Sequence, residues 1–482
     1  MESKRLKSDE GCHISQILLS EEKLTQLTSS RELVDDALAW SVARGIVMYP
    51  TCDKSQASAV PFALLPCPVP EDCFHLAKRL APDFQLLMDN VSCDLAWLQS
   101  ALAKTGAIDE ICCKLLDICR SVYSSDTGKD PARDIRLHLM RNDFMLDTQK
   151  APSEGAMVQI ELNMMSASFA THGQDLTETH RYLLKGWVLG HPSPQVRKHL
   201  HVSEVLGLPR SEATEGLACA MALAQEAYQA RWQATGLPMV VLFIALEEEK
   251  NELDHRKLEL SALGLGLIPL RRSLRQLAAS CSLRPLKPLD ATEAVREPKA
   301  LLVDGYEVAV AYFRSGYWPQ HFEGAWEARR VVELSEAVKC PSAPAQLAGM
   351  KKVQELLCQS CELTKFLPEE KAQMVSRTFG QQFDPSCDSP ETKQAVQAAM
   401  TNPGDWVLKP QVEGSGELYF DEDIPRMLTS RSQDQLAEFI LMERVRPPCT
   451  PSAVLGPDGK VVPGLRWLSW ASSGPLWPQG AR

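Results

Sequence analysis

The sequence VQIELNMMSASF, from Val158 to Phe169, combines the period of a β-strand with a carboxylate, an amide and two hydroxyls. Apolar and polar residues alternate in its first half, which predicts a strand with one face in the core. The predicted core-facing residues are Val158, Ile160 and Leu162, and the opposite ones are Gln159, Glu161 and Asn163. Glu161 and Asn163 are two residues apart and therefore present two oxygen ligands side by side, as Mg²⁺ accepts. On this segment alone, a strand with a merely solvated outer face is the simpler interpretation.

The length and charge of the chain limit the classes of protein it can belong to. Its 482 residues exceed one compact core of ordinary size, so we expect about two or three subdomains. A net charge of −11 argues against electrostatic binding to nucleic acid or to an anionic membrane. The N-terminus, MESKRLKSDEGCHIS, lacks an apolar segment, and no apolar run approaches the length of a membrane span. These features predict a cytoplasmic protein with reduced cysteines.

The order of apolar runs predicts two hairpins and an α/β unit. IRLHLMRNDFMLD, the turn-rich TQKAPSEG and the strand from Val158 form a hairpin that places Arg141 on the strand adjoining Glu161. LPMVVLFIALEE reads as a buried strand, EKNELDHRKLELSALGL as a helix and LIPLRRS as a further strand, an order that predicts a parallel sheet. ALLVDGYEVAVAYF is a hairpin whose Asp304-Gly305 turn tolerates positive φ.

The last part of the chain differs in composition from the rest. From Pro447 to Arg482 it has seven prolines and three tryptophans in 36 residues, with no lasting periodicity. We therefore assign no helix or strand to residues 447–482.

A second candidate site lies in VLKPQVEGSG, where a buried strand delivers Lys409 and Glu413 precedes Gly414-Ser415-Gly416. A lysine and flexible backbone N–H groups suit phosphate oxygens, and the carboxylate suits the accompanying Mg²⁺. The pattern is not a Walker A loop because the lysine precedes the glycines. As a bare pattern, an ordinary hairpin explains it better.

The combination of candidates is more informative than any one of them. Glu161, Asn163 and Glu413 could complete a metal shell, and Lys351 with Lys409 could neutralise phosphate. Met442-Glu443, at the end of a predicted strand, could hold a purine. Each of these residues taken alone is more simply structural.

Together these residues resemble the eukaryotic-type glutathione synthetase family, which has the ATP-grasp fold. The resemblance covers roughly residues 19–445, with blocks in the order of the family: LMRNDFM, QIELNMMSASF, EEEKNELDHR, AVAYFRSGYWP, WEARRVVELSEAVKCP, QLAGMKKVQ, VLKPQVEGSG and ILMERV. The implied fold class is α/β, an ATP-grasp with an inserted smaller parallel α/β substrate-binding domain. The implied divisions are an N-terminal extension (1–18), a first ATP-grasp part (19–236), the substrate-binding domain (237–337), a nucleotide-binding and lid part (338–446) and an atypical tail (447–482).

The resemblance also implies roles for individual residues, with Arg141, Lys351 and Lys409 as the catalytic ones. The implied magnesium ligands are Glu161, Asn163 and Glu413. The implied ATP contacts are Glu161, Lys351, Lys409, Glu413, Gly414, Ser415, Gly416, Tyr419, Met442, Glu443, Arg444 and Val445. The implied dipeptide contacts are Arg141, Met165, Ser166, Ala167, Ser168, Glu249, Lys250, Asn251, His255, Arg314, Ser315, Gly316 and Tyr317.

The implied reaction joins γ-L-glutamyl-L-cysteine to glycine through an acyl phosphate and gives glutathione, ADP and phosphate. Mg²⁺ is the implied cofactor and ATP a co-substrate. The family implies a homodimer, with no nucleic-acid or membrane partner.

Several positions depart from the family pattern. His255 stands where the family commonly has glutamine, Ser315 where it commonly has aspartate, and EGSGELY replaces a longer glycine loop. After Val445 the C-terminus looks truncated, because the usual lid residues are not recognisable. Two classes of function therefore remain open: an active ATP-dependent ligase, and a non-catalytic or impaired variant that binds Mg-ATP or a partner without turnover. An ATP-grasp ligase for a different acid is disfavoured by Arg141, Ser166, Ser168 and Arg314.

Overall fold

The computed structural model describes residues 29–51, 53–150, 156–185, 208–290, 297–411 and 418–467. The α-helices in these stretches are α1 (Arg31–Ala43), α2 (Glu71–Cys93), α3 (Leu95–Ala101), α4 (Thr105–Ile108), α5 (Glu110–Val122), α6 (Ala170–Leu183), α7 (Ala213–Arg231), α8 (Glu252–Gly264), α9 (Leu274–Ser280), α10 (Trp326–Leu334), α11 (Ala343–Ala348), α12 (Lys351–Leu357), α13 (Ser360–Phe366), α14 (Glu369–Ser376), α15 (Pro390–Thr401), α16 (Asp423–Ser430) and α17 (Gln433–Leu436). The β-strands are β1 (Val47–Met48), β2 (Ser58–Ala59), β3 (Phe62–Ala63), β4 (Arg141–Leu146), β5 (Met157–Asn163), β6 (Trp232–Gln233), β7 (Met239–Ile244), β8 (Pro269–Arg272), β9 (Cys281–Pro285), β10 (Lys287–Pro288), β11 (Lys299–Val303), β12 (Tyr306–Phe313), β13 (Val338–Cys340), β14 (Gln382–Phe383), β15 (Trp406–Pro410), β16 (Phe439–Glu443), β17 (Cys449–Leu455) and β18 (Val461–Trp467).

The largest sheet has the strand order β8-β7-β12-β11-β9, and β13 also pairs with β12. β7 runs parallel to β8 and to β12, and α8 is the crossover between β7 and β8. This arrangement confirms the predicted strand, helix and strand unit. β9, β11 and β12 pair antiparallel, so the sheet is mixed rather than wholly parallel, and β13 extends it past residue 337.

The apolar run of β7 follows from burial on both faces of this sheet. Val240, Leu242 and Ile244 pack in the core that also holds residues of α9 and α10. Val241 and Phe243 point the other way, into the core shared with α7 and α8. A strand covered on both faces has no solvated side, so it needs no polar alternation. Each fully buried side chain of this size contributes about 1.5–3 kcal/mol relative to an exposed one.

The turn between β11 and β12 was correctly predicted from its dipeptide. Asp304 has φ +51° and Gly305 has φ +81°, both in the left-handed region. A two-residue hairpin with the right-handed twist of its strands requires this geometry, which Asp-Gly adopts at low cost. After the turn, β12 runs back antiparallel to β11, and Arg314 directly follows the last residue of β12.

The hairpin of β4 and β5 forms as predicted, but its faces do not alternate throughout. The register pairs Asp143 with Glu161 and Phe144 with Gln159, so Ile160 is an extra residue in a bulge. As a result Gln159 is buried, whereas Ile160 is only partly buried. The prediction that Ile160 faces the core and Gln159 faces away was therefore wrong, because a bulge resets the two-residue period.

A three-stranded sheet of order β14-β16-β15 carries the later candidate residues. β15 and β16 pair antiparallel, with Lys409 opposite Ile440 and Val407 opposite Met442. Leu408 and Leu441 are fully buried in a separate core that includes residues of α15 and α16. The apolar residues thus fix the strands, and Lys409 remains partly accessible beside them.

The structure corrects the assignment of no strand to the tail. β17 and β18 form an antiparallel hairpin, and β17 also pairs with β3 through Val454 and Leu455. Five residues, Gly456 to Lys460, connect the strands, and they include Pro457-Asp458-Gly459, with Gly459 at φ +75°. This is a recognisable turn sequence that the high proline content obscured. Residues 468–482 lie outside the described stretches.

Candidate active site

Four side chains form a square on the outer face of the β4–β5 hairpin. The register places Arg141 opposite Asn163 and Asp143 opposite Glu161. Asp143 accepts hydrogen bonds from Nε and Nη2 of Arg141 at 2.8 and 2.9 Å, and from Nδ2 of Asn163 at 3.2 Å. Nδ2 of Asn163 also lies 3.4 Å from Oε1 of Glu161. The square therefore joins one cation, two carboxylates and one amide, and Asp143 is a member that the sequence analysis did not single out.

Lysines from two other elements act on Glu161. Nζ of Lys409, on β15, lies 3.9 Å from Oε2 of Glu161. Burial by itself would raise the pKa of Glu161, but it is outweighed by four lowering effects together: the charge of Lys409, that of Lys351 at the start of α12, the hydrogen bond from Asn163 and the charge of Arg141. The net result is a pKa below the ordinary value, so this carboxylate is ionised at neutral pH. Asp143 behaves in the opposite way, because burial dominates and raises its pKa.

The glycine loop itself is not described. Glu413, Gly414, Ser415 and Gly416 lie outside the described residues, so their predicted roles stay predictions. The two ends of the segment are defined, because Tyr419 exchanges backbone hydrogen bonds with Leu408 at 3.0 and 3.1 Å. The described residues on either side of the segment 412–417 therefore pair next to Lys409.

The end of β16 carries the residues predicted for the purine. Met442 is buried, and Glu443 is partly exposed with Oε2 at 3.8 Å from Nζ of Lys150. Arg444 forms an ion pair with Asp421 at 2.8 Å. Val445 is partly buried. An apolar side chain beside a strand end suits a base.

A second cluster surrounds Arg314, which is 3% exposed. Its Nη2 donates to Oγ of Ser168 at 2.9 Å and its Nη1 to the hydroxyl of Tyr312 at 3.1 Å. Nη1 also donates to the carbonyl of Ala167. Oγ of Ser166 in turn donates to the carbonyl of Arg314 at 2.9 Å. The hydroxyls that follow β5 thus hold the arginine at the end of β12.

His255 completes this cluster and has a defined protonation state. Nη2 of Arg314 approaches its Nε2 at 2.7 Å, and because a guanidinium only donates, Nε2 must accept and Nδ1 carries the proton. Burial, and next the charge of Arg314, hold the pKa of His255 well below its usual value. Nδ1 is buried without a hydrogen-bond partner. His255 is therefore a neutral side chain with one unused donor.

Asp254, on α8, fixes the position of the start of α6. It accepts from the backbone N–H groups of Phe169, Thr171 and His172 at 3.0 to 3.2 Å. These are the first backbone donors of α6, which a carboxylate satisfies well. Asp254 was not predicted from the sequence, although an acidic residue in the first turn of a predicted helix is a visible signal.

The remaining predicted dipeptide contacts lie around the same cluster. Ser315 is buried and donates to the carbonyl of Ile244 at 3.3 Å. Gly316 has φ +110°, and a Cβ there would lie 3.0 Å from Phe322 and 3.3 Å from Met165. Tyr317 packs edge-on against His321 at 4.7 Å. Glycine at 316 is therefore required both by φ and by space.

The loop before α8 brings three further predicted residues to this region. Oε1 of Glu249 accepts from the backbone N–H of Asn251 at 2.9 Å. The carbonyl of Lys250 accepts from Tyr49 at 2.9 Å, which ties the loop to the N-terminal part. Oδ1 of Asn251 is buried without a hydrogen-bond partner. The loop thus adds one unused acceptor to the donors of the Arg314 cluster.

The donor set of the square fits a magnesium ion bound together with phosphate. Glu161 supplies an ionised carboxylate, and Asn163 has its Nδ2 committed, so its Oδ1 remains to act as a ligand. Mg²⁺ in nucleotide sites commonly takes one or two carboxylates plus phosphate oxygens and waters. Within the described stretches no three His, Cys, Asp or Glu side chains gather at a common metal position.

Comparisons with known proteins define what this arrangement is similar to. A family model described as eukaryotic glutathione synthase, ATP binding domain, matches residues 28–464. Glutathione synthetase of Xenopus laevis is 32% identical over 437 residues, covering 89% of this chain and 85% of the relative. Glutathione synthetase of Homo sapiens is 32% identical over 446 residues, covering 92% and 86%. The solved apo form of a glutathione synthetase-like effector, GSS30, from Globodera pallida has a TM-score of 0.63 at 17% identity, covering 89% of this chain and 84% of that one, and supports the fold alone.

The fold and the family match define an ATP-dependent ligase of the ATP-grasp class. Within that class, the chain belongs to the eukaryotic glutathione synthase family. The match continues past Val445 through β17 and into β18, so the likeness extends further than the recognisable sequence blocks.

Proposed function

We propose that this chain converts ATP, γ-L-glutamyl-L-cysteine and glycine to glutathione, ADP and phosphate. One observation carries the proposal: in a member of this family, Glu161 of β5 and Lys409 of β15 bring opposite charges within 3.9 Å from distant parts of the chain. A lysine suits phosphate oxygens and a carboxylate suits the divalent cation bound with them, so a magnesium nucleotide site uses both at one place.

The proposed mechanism first brings two anions together, the cysteinyl carboxylate and the γ-phosphate. Lys351, Lys409 and Arg141 offset their repulsion and stabilise the charge that develops in transfer. Glu161 and Asn163, with Glu413, would hold Mg²⁺, which when bound neutralises and orients phosphate oxygens. The carboxylate oxygen takes the phosphoryl group and ADP leaves. The glycine amine then attacks the acyl carbon, its proton is lost, and phosphate departs as the C–N bond forms.

The proposed dipeptide site uses the unused polar atoms near Arg314. Nε of Arg314 and Nδ1 of His255 are buried donors without partners, and Oδ1 of Asn251 is a buried acceptor without one. A glutamyl group carries a carboxylate and an ammonium, which require donors and an acceptor respectively. Arg141 would bind the other end of the dipeptide, near the phosphate. The remaining proposed contacts are Met165, Ser166, Ala167, Ser168, Glu249, Lys250, Ser315, Gly316 and Tyr317.

The proposed nucleotide site combines the β15–β16 sheet with the glycine loop. Met442 and Tyr419 would flank the base, and Lys351, Lys409 and Gly414–Gly416 would bind the phosphates. Glu161, Glu413, Glu443, Arg444 and Val445 complete the proposed set. The support is the position of Met442 and Glu443 at the end of β16, next to the strand that carries Lys409.

The proposed assembly and location are a homodimer in the cytoplasm, without nucleic-acid or membrane partners. Leu223 of α7 and Leu260 and Leu263 of α8 are exposed on adjacent helices, which supports an apolar contact between copies. The net charge of −11 supports the absence of nucleic acid. No helix in the described stretches has the length and apolarity needed to cross a bilayer.

The domain division is also a proposal. Residues 237–337 would form the substrate-binding unit, between ATP-grasp parts at 19–236 and 338–446, with 1–18 and 447–482 at the ends. The shared sheet of β7, β8, β11 and β12 supports the middle unit.

The test is phosphate release by the purified chain with Mg-ATP, omitting γ-glutamylcysteine or glycine in turn. We expect release with glutathione formation only when both are present. If Mg-ATP raises the melting temperature but complete mixtures release no phosphate, the chain is instead a non-catalytic nucleotide-binding protein.

A further inference from the structure

Asp143 is the most buried of the charged side chains in the square and is not exposed to solvent. Its side chain is 2% exposed, against 25% for Arg141 and 28% for Glu161. All its hydrogen bonds within the square go to Arg141 and Asn163. The carboxylate therefore lies behind the residues proposed to touch substrate and metal.

The register creates an electrostatic problem at this point. Asp143 and Glu161 lie directly opposite each other, and like charges at such a pair destabilise a hairpin. Nδ2 of Asn163 lies within 3.4 Å of both carboxylates and donates toward each. The amide is thereby held in one orientation, because the flipped one would put its oxygen against two carboxylates. Oδ1 of Asn163 is the atom left for a cation.

Asp143 also fixes which part of Arg141 remains available. Its two oxygens take Nε and Nη2 of the guanidinium in a bidentate pair. Nη1 and the second N–H of Nη2 are on the side away from this pair. Arg141 can thus present donors to an anion without losing its own orientation.

We propose that Asp143 is a positioning residue that sets the guanidinium of Arg141 and the amide of Asn163 for dipeptide and metal. The inference rests on the proposed function, because it assigns Asp143 a role in that same site. Removal of a carboxylate that orients metal ligands commonly lowers metal affinity or activity about 10- to 100-fold.

The experiment compares Asp143→Asn, Arg141→Ala and the double variant in a cycle. At saturating Mg²⁺, which removes the effect on metal binding through Asn163, we expect Asp143→Asn to lower kcat about 10- to 100-fold and the double variant to be no slower than Arg141→Ala. We also expect Asp143→Asn to raise, about tenfold, the Mg²⁺ concentration that half-maximally stabilises the ATP-bound chain in thermal melts. If the kcat loss in the double variant instead equals the product of the two single losses, the inference is overturned, because Asp143 then acts independently of Arg141.

Asp89 supplies the matched control. It binds Nε and Nη2 of Arg136 at 2.6 and 3.0 Å in the same bidentate geometry, away from the square. Asp89→Asn should lower the melting temperature without changing the Mg²⁺ requirement. If Asp143→Asn fails to fold, Asp143→Glu keeps the charge with a longer arm, and unchanged kcat and Mg²⁺ requirement in that variant would overturn the inference. An inactive wild-type chain contradicts the proposed function, whereas an active one with an unaffected Asp143→Asn variant contradicts only the role of Asp143.

Discussion

The carboxylate of Glu161 and the ammonium of Lys409 face each other at 3.9 Å, although they belong to two different sheets. Glu161 comes from the β4–β5 hairpin and Lys409 from the β14-β16-β15 sheet. The pair therefore marks the proposed phosphate site, at the place where the two sheets meet.

Replacement of Lys409 by alanine tests this relationship. We expect phosphate release to fall about 10²- to 10³-fold, because a fixed charge opposite the transferred group is lost. The pKa of Glu161 should also rise, since Lys409 is the largest factor that lowers it. Lys365→Ala is the control, because Lys365 pairs with Glu362 at an exposed position. Near-normal turnover in Lys409→Ala would contradict the assignment.

Replacement of His255 by glutamine should change activity without changing its pH dependence. Burial, and next the charge of Arg314, hold the pKa of His255 well below its usual value, so the imidazole is neutral in the pH range where a free histidine titrates. Glutamine can accept the same hydrogen bond from Arg314. We expect profiles of kcat/KM against pH with the same shape in both proteins. A displaced acid limb in His255→Gln would show that His255 titrates in that range.

His180 predicts a loss of stability in mild acid. Its Nε2 donates to the carbonyl of Ala63 at 2.7 Å, and burial lowers its pKa from 6.5 to about 4. The unfolded chain takes up a proton below pH 6.5 while the folded one does not, so stability falls as pH drops from 6.5 to 4. At one pKa unit per 1.36 kcal/mol, the loss approaches about 3 kcal/mol.

The measurement is the free energy of unfolding in urea at several pH values. His180→Gln keeps a donor to Ala63 and should flatten the curve between pH 4 and 6.5. An equally steep curve in that variant would assign the acid sensitivity to other groups.

The β17–β18 hairpin should contribute to the stability of the chain. Leu455 is 1% exposed and packs with Phe62, Leu64 and Leu33. Leu455→Ala should lower the free energy of unfolding by about 2–5 kcal/mol. Val462→Ala is the control because Val462 is 52% exposed. Equal, small effects of both substitutions would show that the hairpin does not pack on the rest.

Local patterns predicted the parts of the fold that depend on neighbouring residues. The Asp304-Gly305 turn requires positive φ, and that requirement is visible in the dipeptide itself. The run at β7 is apolar throughout because both faces are covered, which the sequence also shows.

Other features depend on contacts that a sequence does not display. The bulge at Ile160 is set by its pairing with β4, so the two-residue period alone misplaced Gln159. The contact of Asp143 with Asn163 depends on the register of β4 against β5, which the sequence does not display. The strands of the tail were not predicted, because the proline content of the tail suggested irregular structure although Pro457-Asp458-Gly459 is a turn sequence.

If γ-glutamylcysteine is activated as an acyl phosphate, one oxygen of its cysteinyl carboxylate must leave in the released phosphate. The dipeptide is labelled with ¹⁸O in its cysteinyl carboxylate and incubated with Mg-ATP, glycine and the purified chain. We expect each phosphate released to carry one ¹⁸O from that carboxylate. Phosphate without the label, or no phosphate at all, would contradict it.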